Sequence, residues 1–470
     1  MPLKVVVVGG GIAGLASATA LRRAGHNVTM LERSQRFDNE VGAAIHVPPN
    51  STRPLIAWGF DVVRARLVRF KHNLFADGKT LEVQWLVEKD TKQIDKVYGG
   101  PWMAAHRVDL HEELRRLAFA EPGAGDETWG TIEVRLGAEV VAYSPETPSV
   151  TLADGQVVSG DLVVVANGIH SGAPAAIAGQ TVTPKAVGVY NFCYRFLIPT
   201  EVLNSDPETK DWDKERGDGA MNSFVAGDKR LVSYTCRKWV YQVAAESNKR
   251  GEKWLTDFEF CSNEVHNFVG LFNDPSAGLG QREDWHASAD KSKVLETFSE
   301  FHPQLKAIIS KATEYKQWPL LYRDPLPTWI KGGMVMVGDA SHPMLPFQGQ
   351  GGAQAVEDGV ALGISMAGAT PETVGERLVA FDSVRRNRAS ALQILSNVGQ
   401  DEALKVRAEA GRFVPIETVP KGPDEFYDFS FGYNVVKDMV NTMRKTIDAE
   451  FELPKGFFIK EPVIPKEQMV

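Results

Sequence analysis

Leu3-Lys4-Val5-Val6-Val7-Val8-Gly9-Gly10-Gly11-Ile12-Ala13-Gly14 lies near the start of the 470-residue chain. The apolar, β-branched run from Leu3 to Val8 reads as a strand buried on both faces, the pattern of a parallel sheet. Gly9, Gly11 and Gly14 then satisfy G-x-G-x-x-G. Ala13 to Ala24 reads as a helix with Leu15, Ala18 and Leu21 on one face and Gly25 closing it. Asn27 to Leu31 is a second strand, ending at Glu32, which stands 18 residues past Gly14. The first glycine makes the tight turn, the second lets a pyrophosphate approach the backbone, and the third packs helix on strand. The helix N-terminus offers N–H groups to the anion, and the acid can accept from ribose hydroxyls. The alternative is a glycine turn that holds no ligand. Strand, glycines, helix, strand and acid in register argue for a dinucleotide site. The motif by itself leaves the choice between nicotinamide and flavin open.

Length and composition bound the rest. At ~150 residues per domain, the chain holds about three domains or one large elaborated α/β unit. Hydrophobic content of 43%, charged content of 24%, 42 glycines and 26 prolines exclude a disordered, collagenous or coiled-coil chain. Lys and Arg total 52 against 60 Asp and Glu, a net charge of −8. That balance carries no basic footprint, so no nucleic-acid partner is expected. Cys193, Cys236 and Cys261 have no metal-ligand spacing, so no metal site is expected and a reducing compartment is the default. The Val5–Val8 run falls short of the ~7–15 apolar residues of a secretion signal. No stretch approaches the ~18 needed for a membrane span. A soluble, cytoplasmic protein is expected.

Two further motifs follow. Asp161 to Ala166 reads as a buried strand leading into Asn167-Gly168-Ile169-His170-Ser171. Gly333 to Val337 is a strand running into Gly338-Asp339-Ala340-Ser341-His342-Pro343-Met344-Leu345-Pro346-Phe347-Gln348-Gly349-Gln350-Gly351-Gly352. A helix starting near Gly352 carries Ala355, Glu357 and Asp358. An Asp at a strand end beside a nucleotide site can bind a sugar-like hydroxyl chain. A glycine loop at a helix start presents N–H groups to an electron-rich ring edge.

These three motifs, in this order and spacing, resemble the single-component flavin-dependent aromatic hydroxylases of the salicylate-hydroxylase-like kind, including fungal secondary-metabolism members. The resemblance runs through about residue 390 and takes in His106-Arg107-Val108-Asp109-Leu110 and Arg385-Arg386-Asn387-Arg388. It implies an α/β fold with a Rossmann-like FAD-binding domain, an antiparallel β-sheet substrate domain and a helical C-terminal region. The expected FAD domain is discontinuous, 1–66, 103–182 and 287–371. The substrate sheet takes 67–102 and 183–286, and 372–470 is helical and then a tail.

The resemblance also implies roles. FAD is the dinucleotide, with NADPH or NADH as transient reductant and O2 as co-substrate. One oxygen atom would pass from a flavin C4a-hydroperoxide to an electron-rich phenolic or indolic small molecule, by hydroxylation or by epoxidation and rearrangement. Glu32, with Arg33 beside it, would hold the adenosine ribose, and Arg107 would approach the flavin from the helix it opens. Asp339 would bind the ribityl chain. Gly349, Gln350, Gly351 and Gly352 would bring N–H groups to the flavin's pyrimidine edge, and Pro346 would line the face where oxygen reacts. The sequence departs from the family at Asn167, where Asp is usual, at Pro174, where Arg is common, and at Ala44, where a glycine is typical beside the flavin. Asn167 keeps hydrogen-bonding capacity without the charge.

Several segments between the second and third motifs read as an antiparallel sheet: Val187 to Pro199, Ala220 to Ala226, Arg230 to Thr235 and Val240 to Ala245. With about Leu67 to Trp102 they would cover the flavin. Arg195, charged within an otherwise mostly apolar segment, is the candidate for holding a phenolate or the peroxide oxygen. Some fungal relatives carry an Arg on this strand and a Tyr on a neighbouring one, which makes Tyr234 its partner candidate. An edge-of-sheet ion pair and plain core packing are the alternatives. His46 is a candidate base because imidazole titrates near neutrality. Its alternative is a structural role, and His342 is expected to shape its loop. Trp239, Phe224 and Phe347 are candidate pocket walls. The aromatic run from Glu425 to Tyr433 is expected to cap the FAD domain, and Pro454 to Pro465 to be an extended tail. Oligomeric state is left at monomer or homodimer. Competing readings are a flavin-dependent reductase of the prenyl-reducing type and a flavin-binding protein without turnover.

Overall fold

The computed structural model describes residues 1–37, 43–88, 90–123, 128–186, 190–210, 212, 219–238, 241–242, 258–259, 263–274 and 287–462. Gly42, Trp239, Val240 and Cys261 lie outside these, as do parts of 187–199, 240–245 and 454–465.

Lys4–Val8 is the inner strand of a six-stranded sheet. Leu162–Val165 and Asn27–Glu32 pair with it on either side in parallel, and Met334–Met336 and Ile132–Leu136 extend the sheet in the same sense. Only the edge strand Ile330–Lys331 runs antiparallel. The helix Ile12–Arg23 crosses from the first strand to the second, the right-handed solution for parallel neighbours. It packs against the helix Gly351–Met366 at backbone distance. A Cβ on Gly359 would lie 2.7 Å from the Ala16 carbonyl carbon, and one on Gly363 would overlap Ala20. Small residues on both helices permit this approach, which seats the start of the later helix beside the glycine turn.

A second, seven-stranded sheet has the order Lys316–Pro319, Phe192–Pro199, Asn263–Phe272, Lys229–Lys238, Ala220–Ala226, His72–Asp77, Val83–Glu88. All its pairs are antiparallel except Ala220–Ala226 with His72–Asp77. One face, with Tyr194, Phe196, Phe224, Leu231 and Phe268, packs into a core under Val294, Phe298, Phe301 and Leu305. Residues 287–319 were expected with the FAD domain. Their helices Lys291–Thr297 and Pro303–Ile309 instead pack on this sheet, and Lys316–Pro319 is its edge strand. Short apolar helices read alike in sequence whichever sheet they cover. Val68–Arg69, expected in the substrate sheet, joins Ala44–Val47 and Met103–His106 in a separate three-stranded sheet.

The C-terminal region is helical over Val374–Leu395, Pro423–Phe431 and Val435–Thr446. Beyond Pro454 the tail, expected to be extended, is docked over its described residues. Phe457 is buried against Trp58, the Phe457 carbonyl accepts from Arg23 at 3.3 Å, and the Ile459 N–H donates to Ala57 at 3.0 Å. Among the described residues no helix is long and apolar enough to cross a membrane.

Candidate active site

The glycine turn is closed by its own backbone. Gly9 has φ +101°, and a Cβ there would fall 2.6 Å from the Ala166 carbonyl oxygen. A Cβ on Gly14 would overlap the Gly9 carbonyl oxygen, so the first and third glycines lock strand to helix. Gly11 differs: it is the N-cap of Ile12–Arg23, and among the described residues no side chain caps that end and a Cβ on it would meet nothing within 4 Å. The helix therefore starts with free N–H groups beside open space, which suits an anion. Glu32 sits next to the turn, its Oε2 accepting from the Gly10 N–H at 2.7 Å and its Oε1 from Ser34 at 2.8 Å. Each oxygen keeps acceptor capacity for a hydroxyl. Arg33 is exposed at the same strand end. Arg107 opens the helix Arg107–Ala118, and its N–H donates to Ala43 at 2.7 Å, which fixes that helix start beside Ala44.

The late motif folds as two short 3-10 turns, Gly338–Ala340 and Pro346–Gln348, ahead of the helix Gly351–Met366. Asp339 is exposed on the first turn and lines a cavity with His170, Pro174, Arg323 and Ser341. The two departures in the middle motif are accommodated locally. Asn167 donates to the Tyr143 hydroxyl at 2.7 Å, and Pro174 occupies the first turn of Ala173–Ile177, where a missing N–H costs little. Gly349 lies against His46: a Cβ would fall 2.6 Å from its Nδ1. One on Gly352 would fall 2.5 Å from the Ile45 Cδ1, while Gly351 has, among the described residues, only the Met344 Cβ, at 3.8 Å. The start of the later helix has no side-chain cap either. Two uncapped helix starts with uncovered glycines, one by a ribose-ready carboxylate and one by Ala44, fit an elongated dinucleotide such as FAD.

Beneath the late motif lies a charge network that sequence reading missed. Glu357, Asp358 and Arg385 are fully buried. Arg385 bonds Glu357 through Nη1, Asp358 through Nε at 2.9 Å and Gln354 through Nη2 at 2.7 Å. Arg388 adds two bonds to Glu357, at 3.0 and 3.1 Å. Burial works against both carboxylates. Arg388 and Arg385 outweigh it for Glu357, and His342 and Arg385 for Asp358, so both stay below the usual carboxylate range. Asp358 Oδ2 also accepts from the Gly338 N–H at 2.9 Å and meets His342 Nε2 at 2.6 Å. His342 thus braces the loop from below. The glutamate, aspartate and arginines were visible in sequence, but nothing local says that two helices bring them together.

The other face of the seven-stranded sheet looks toward this loop. Directly paired residues share a face, so the register groups Arg195, Val269 and Val232 with Leu197, Asn267, Tyr234 and Met221. Leu197, Val232, Tyr234 and Met221 pack with Ala44, Phe70, Trp102 and Met344. Arg195 is partly buried, donates through Nη2 to the Ala44 carbonyl at 2.6 Å, and lies 5.4 Å from the Trp318 ring centre. His46 completes the cluster, with ring centres 5.0 Å from Tyr234 and 4.8 Å from Phe70. Arg195, Tyr234 and His46, far apart in sequence, therefore meet beside Ala44. Burial, helped by Arg195, pushes the His46 pKa down to about 4. The argument for His46 from titration near neutrality does not hold in this setting: at pH 7 its imidazole is neutral. Burial raises the Tyr234 phenol, with Arg195 opposing, so it stays protonated. Phe224 is on the opposite, core-facing side and is no pocket wall. Phe347 is partly exposed and packs 6.0 Å from Tyr190. The helix Pro423–Phe431 backs the cluster through Tyr427 and Phe431 against Trp102.

Fold and site together define a flavin-dependent enzyme with a sheet laid over its nucleotide domain. Residues 4–45 match the FAD dependent oxidoreductase family and residues 280–395 the FAD binding domain family. The chain is 38% identical over 459 residues to the FAD-dependent monooxygenase cfoG of Aspergillus candidus, covering 97% of this chain and 98% of that one. The solved structure of CtdE in complex with FAD matches with a TM-score of 0.70 at 20% identity, over 95% and 99% of the two chains. A salicylate hydroxylase substrate complex matches at TM-score 0.65 and 20% identity, over 94% and 98%. This chain belongs to the FAD-dependent monooxygenases.

Proposed function

We propose that the enzyme inserts one oxygen atom from O2 into an electron-rich aromatic small molecule, phenolic or indolic, with NADPH or NADH as reductant. The observation that carries this reading is the meeting of Arg195, Tyr234 and the Ala44–His46 strand opposite the Gly349–Gly352 loop. The division into an FAD-binding unit and a substrate-binding sheet is part of the proposal. FAD, when bound, supplies the electron relay and the activation of oxygen.

The chain's own residues supply position and environment. Gly9, Gly11 and Gly14 shape the turn that admits the pyrophosphate, and Glu32, with Arg33 beside it, takes the ribose hydroxyls. Arg107 and Asp339 reach the cofactor from two helix and turn starts, and Gly349, Gln350, Gly351 and Gly352 address the ring edge with backbone N–H groups. Pro346 lines the reacting face. Arg195, held by the Ala44 carbonyl, sets a fixed positive charge where a phenolate or developing oxyanion forms. Tyr234 donates a hydrogen bond from its protonated hydroxyl to the ring substituent, and neutral His46 accepts a hydrogen bond there. The Phe70–Trp102 aromatic layer keeps water from the reacting side.

The test is oxygen uptake by the purified protein after its bound cofactor has been identified from the visible spectrum. Uptake that requires both a nicotinamide reductant and a phenolic or indolic ring, with an oxygenated product, supports the proposal. Anaerobic reduction of the ring substrate would point to a reductase, and stable FAD without turnover to a binding protein. Either would overturn it.

A further inference from the structure

Asn267 is 1% exposed and lies on the site-facing side of the seven-stranded sheet, directly between Leu197 and Tyr234. Among the described residues neither its Oδ1 nor its Nδ2 has a hydrogen-bond partner. Burying an amide with both ends unbonded is costly, and native structures avoid it unless something else fills the role. Among the described residues the same face carries four more unbonded buried atoms, Arg195 Nε, Arg230 Nε, Asn73 Oδ1 and Ser223 Oγ. Asn191, just ahead of the neighbouring strand, behaves differently. It bonds the backbone of Asp274 through both amide atoms, at 2.9 and 2.7 Å.

We propose that Asn267 is a specificity-determining residue that reads a donor–acceptor edge of the substrate, the edge a cyclic amide fused to an aromatic ring presents. A primary amide holds its oxygen and one N–H side by side. It therefore forms two parallel bonds with a group that places N–H next to C=O, and satisfies neither partner fully with an acceptor alone. A buried site built for such a pair discriminates strongly against rings lacking it, because the protein's own polar atoms are then left unbonded. This rests on the reading of that sheet face as the substrate layer. Asn267 would orient the ring while Arg195 and Tyr234 address the oxygen-accepting side.

The experiment uses the FAD-loaded enzyme and two probes of similar shape, 2-quinolone and quinoline, titrated while the visible flavin spectrum is followed. The expected result is at least tenfold tighter binding of 2-quinolone. Asn267→Leu should abolish that preference while leaving FAD content and quinoline binding unchanged. Should Asn267→Leu fail to fold, Asn267→Thr, which suits a strand and lacks the paired amide, should also lose it. Equal binding of the two probes by the unmodified enzyme, or a preference that survives the substitution, would mean that ordered water satisfies Asn267, and the specificity role falls. If neither ring perturbs the flavin, the reading of the face as an aromatic-substrate layer falls as well.

Discussion

Arg385 reaches Asp358 from the neighbouring helix at 2.9 Å, and the same carboxylate holds the Gly338 N–H at 2.9 Å, so a side chain deep in the helix pair sets the turn that carries Asp339. Arg385→Met would leave two buried carboxylates without their shared cation. Removing one partner of a buried pair typically costs about 3–5 kcal/mol. Urea unfolding should show a loss of that size, and FAD content per protein should fall with it. Arg385→Lys should recover only part, because an ammonium cannot reach both carboxylates and Gln354 in the same plane.

Gly14 and Gly11 separate folding from binding. Gly14→Ala forces a Cβ into the Gly9 carbonyl and should destabilise the protein by ~1–3 kcal/mol as well as release FAD. Gly11→Ala meets no atom of the described residues within 4 Å, so its melting temperature should change little while FAD affinity drops. Equal loss of stability in the two variants would refute the assignment of the open space to the cofactor.

Arg195→Met should keep FAD bound but uncouple oxygen uptake from product formation. A lost electrostatic contact to a developing oxyanion typically costs about 10²–10³-fold in rate. Normal product yield in that variant would remove Arg195 from the chemistry.

His46 and His106 give a pH signature. Burial drives both down to about 4, with Arg195 adding to the effect on His46 and Arg237 on His106. The unfolded chain takes up those protons near pH 6.5. Their contribution is therefore complete above pH 6.5 and is lost as pH falls toward 4. Urea-unfolding free energy should decline between pH 7 and 4.5, and the decline should shrink in the His46→Gln, His106→Gln double variant.

The parts of this architecture legible in sequence were those written locally. Val5–Val8, the glycines and Glu32 announce a turn because only glycine tolerates the approach at Gly9 and Gly14. Arg195 and Tyr234 stood out as polar side chains on apolar strands, and the register put them on one face. Asn267 was missed because Asn263–Phe272 adjoins residues with no clear alternation, and an Asn in sequence does not reveal that its amide goes unbonded. Gly359 and Gly363 were missed for the opposite reason: a glycine inside a helix signals weakness until the partner, with Ala16 and Ala20, is known. The assignment of 287–319 to a domain depends on which sheet its helices cover, a fact of packing and not of periodicity.

The pairing of Lys4–Val8 with Leu162–Val165, itself paired with Met334–Met336, and the seating of Ile12–Arg23 against Gly351–Met366 dictate an order of events on the ribosome. The first strand emerges early, yet the helix that covers its neighbour is not made until residue 366. At ~5–20 residues per second the helix Ile12–Arg23 waits roughly 20–70 s for its partner. The nucleotide-binding half is begun first and completed nearly last. The helix pair and the strand order of this sheet are thus closed only by residues 334–366, so a chain cut short before them holds the glycine turn without the second helix that the flavin site needs.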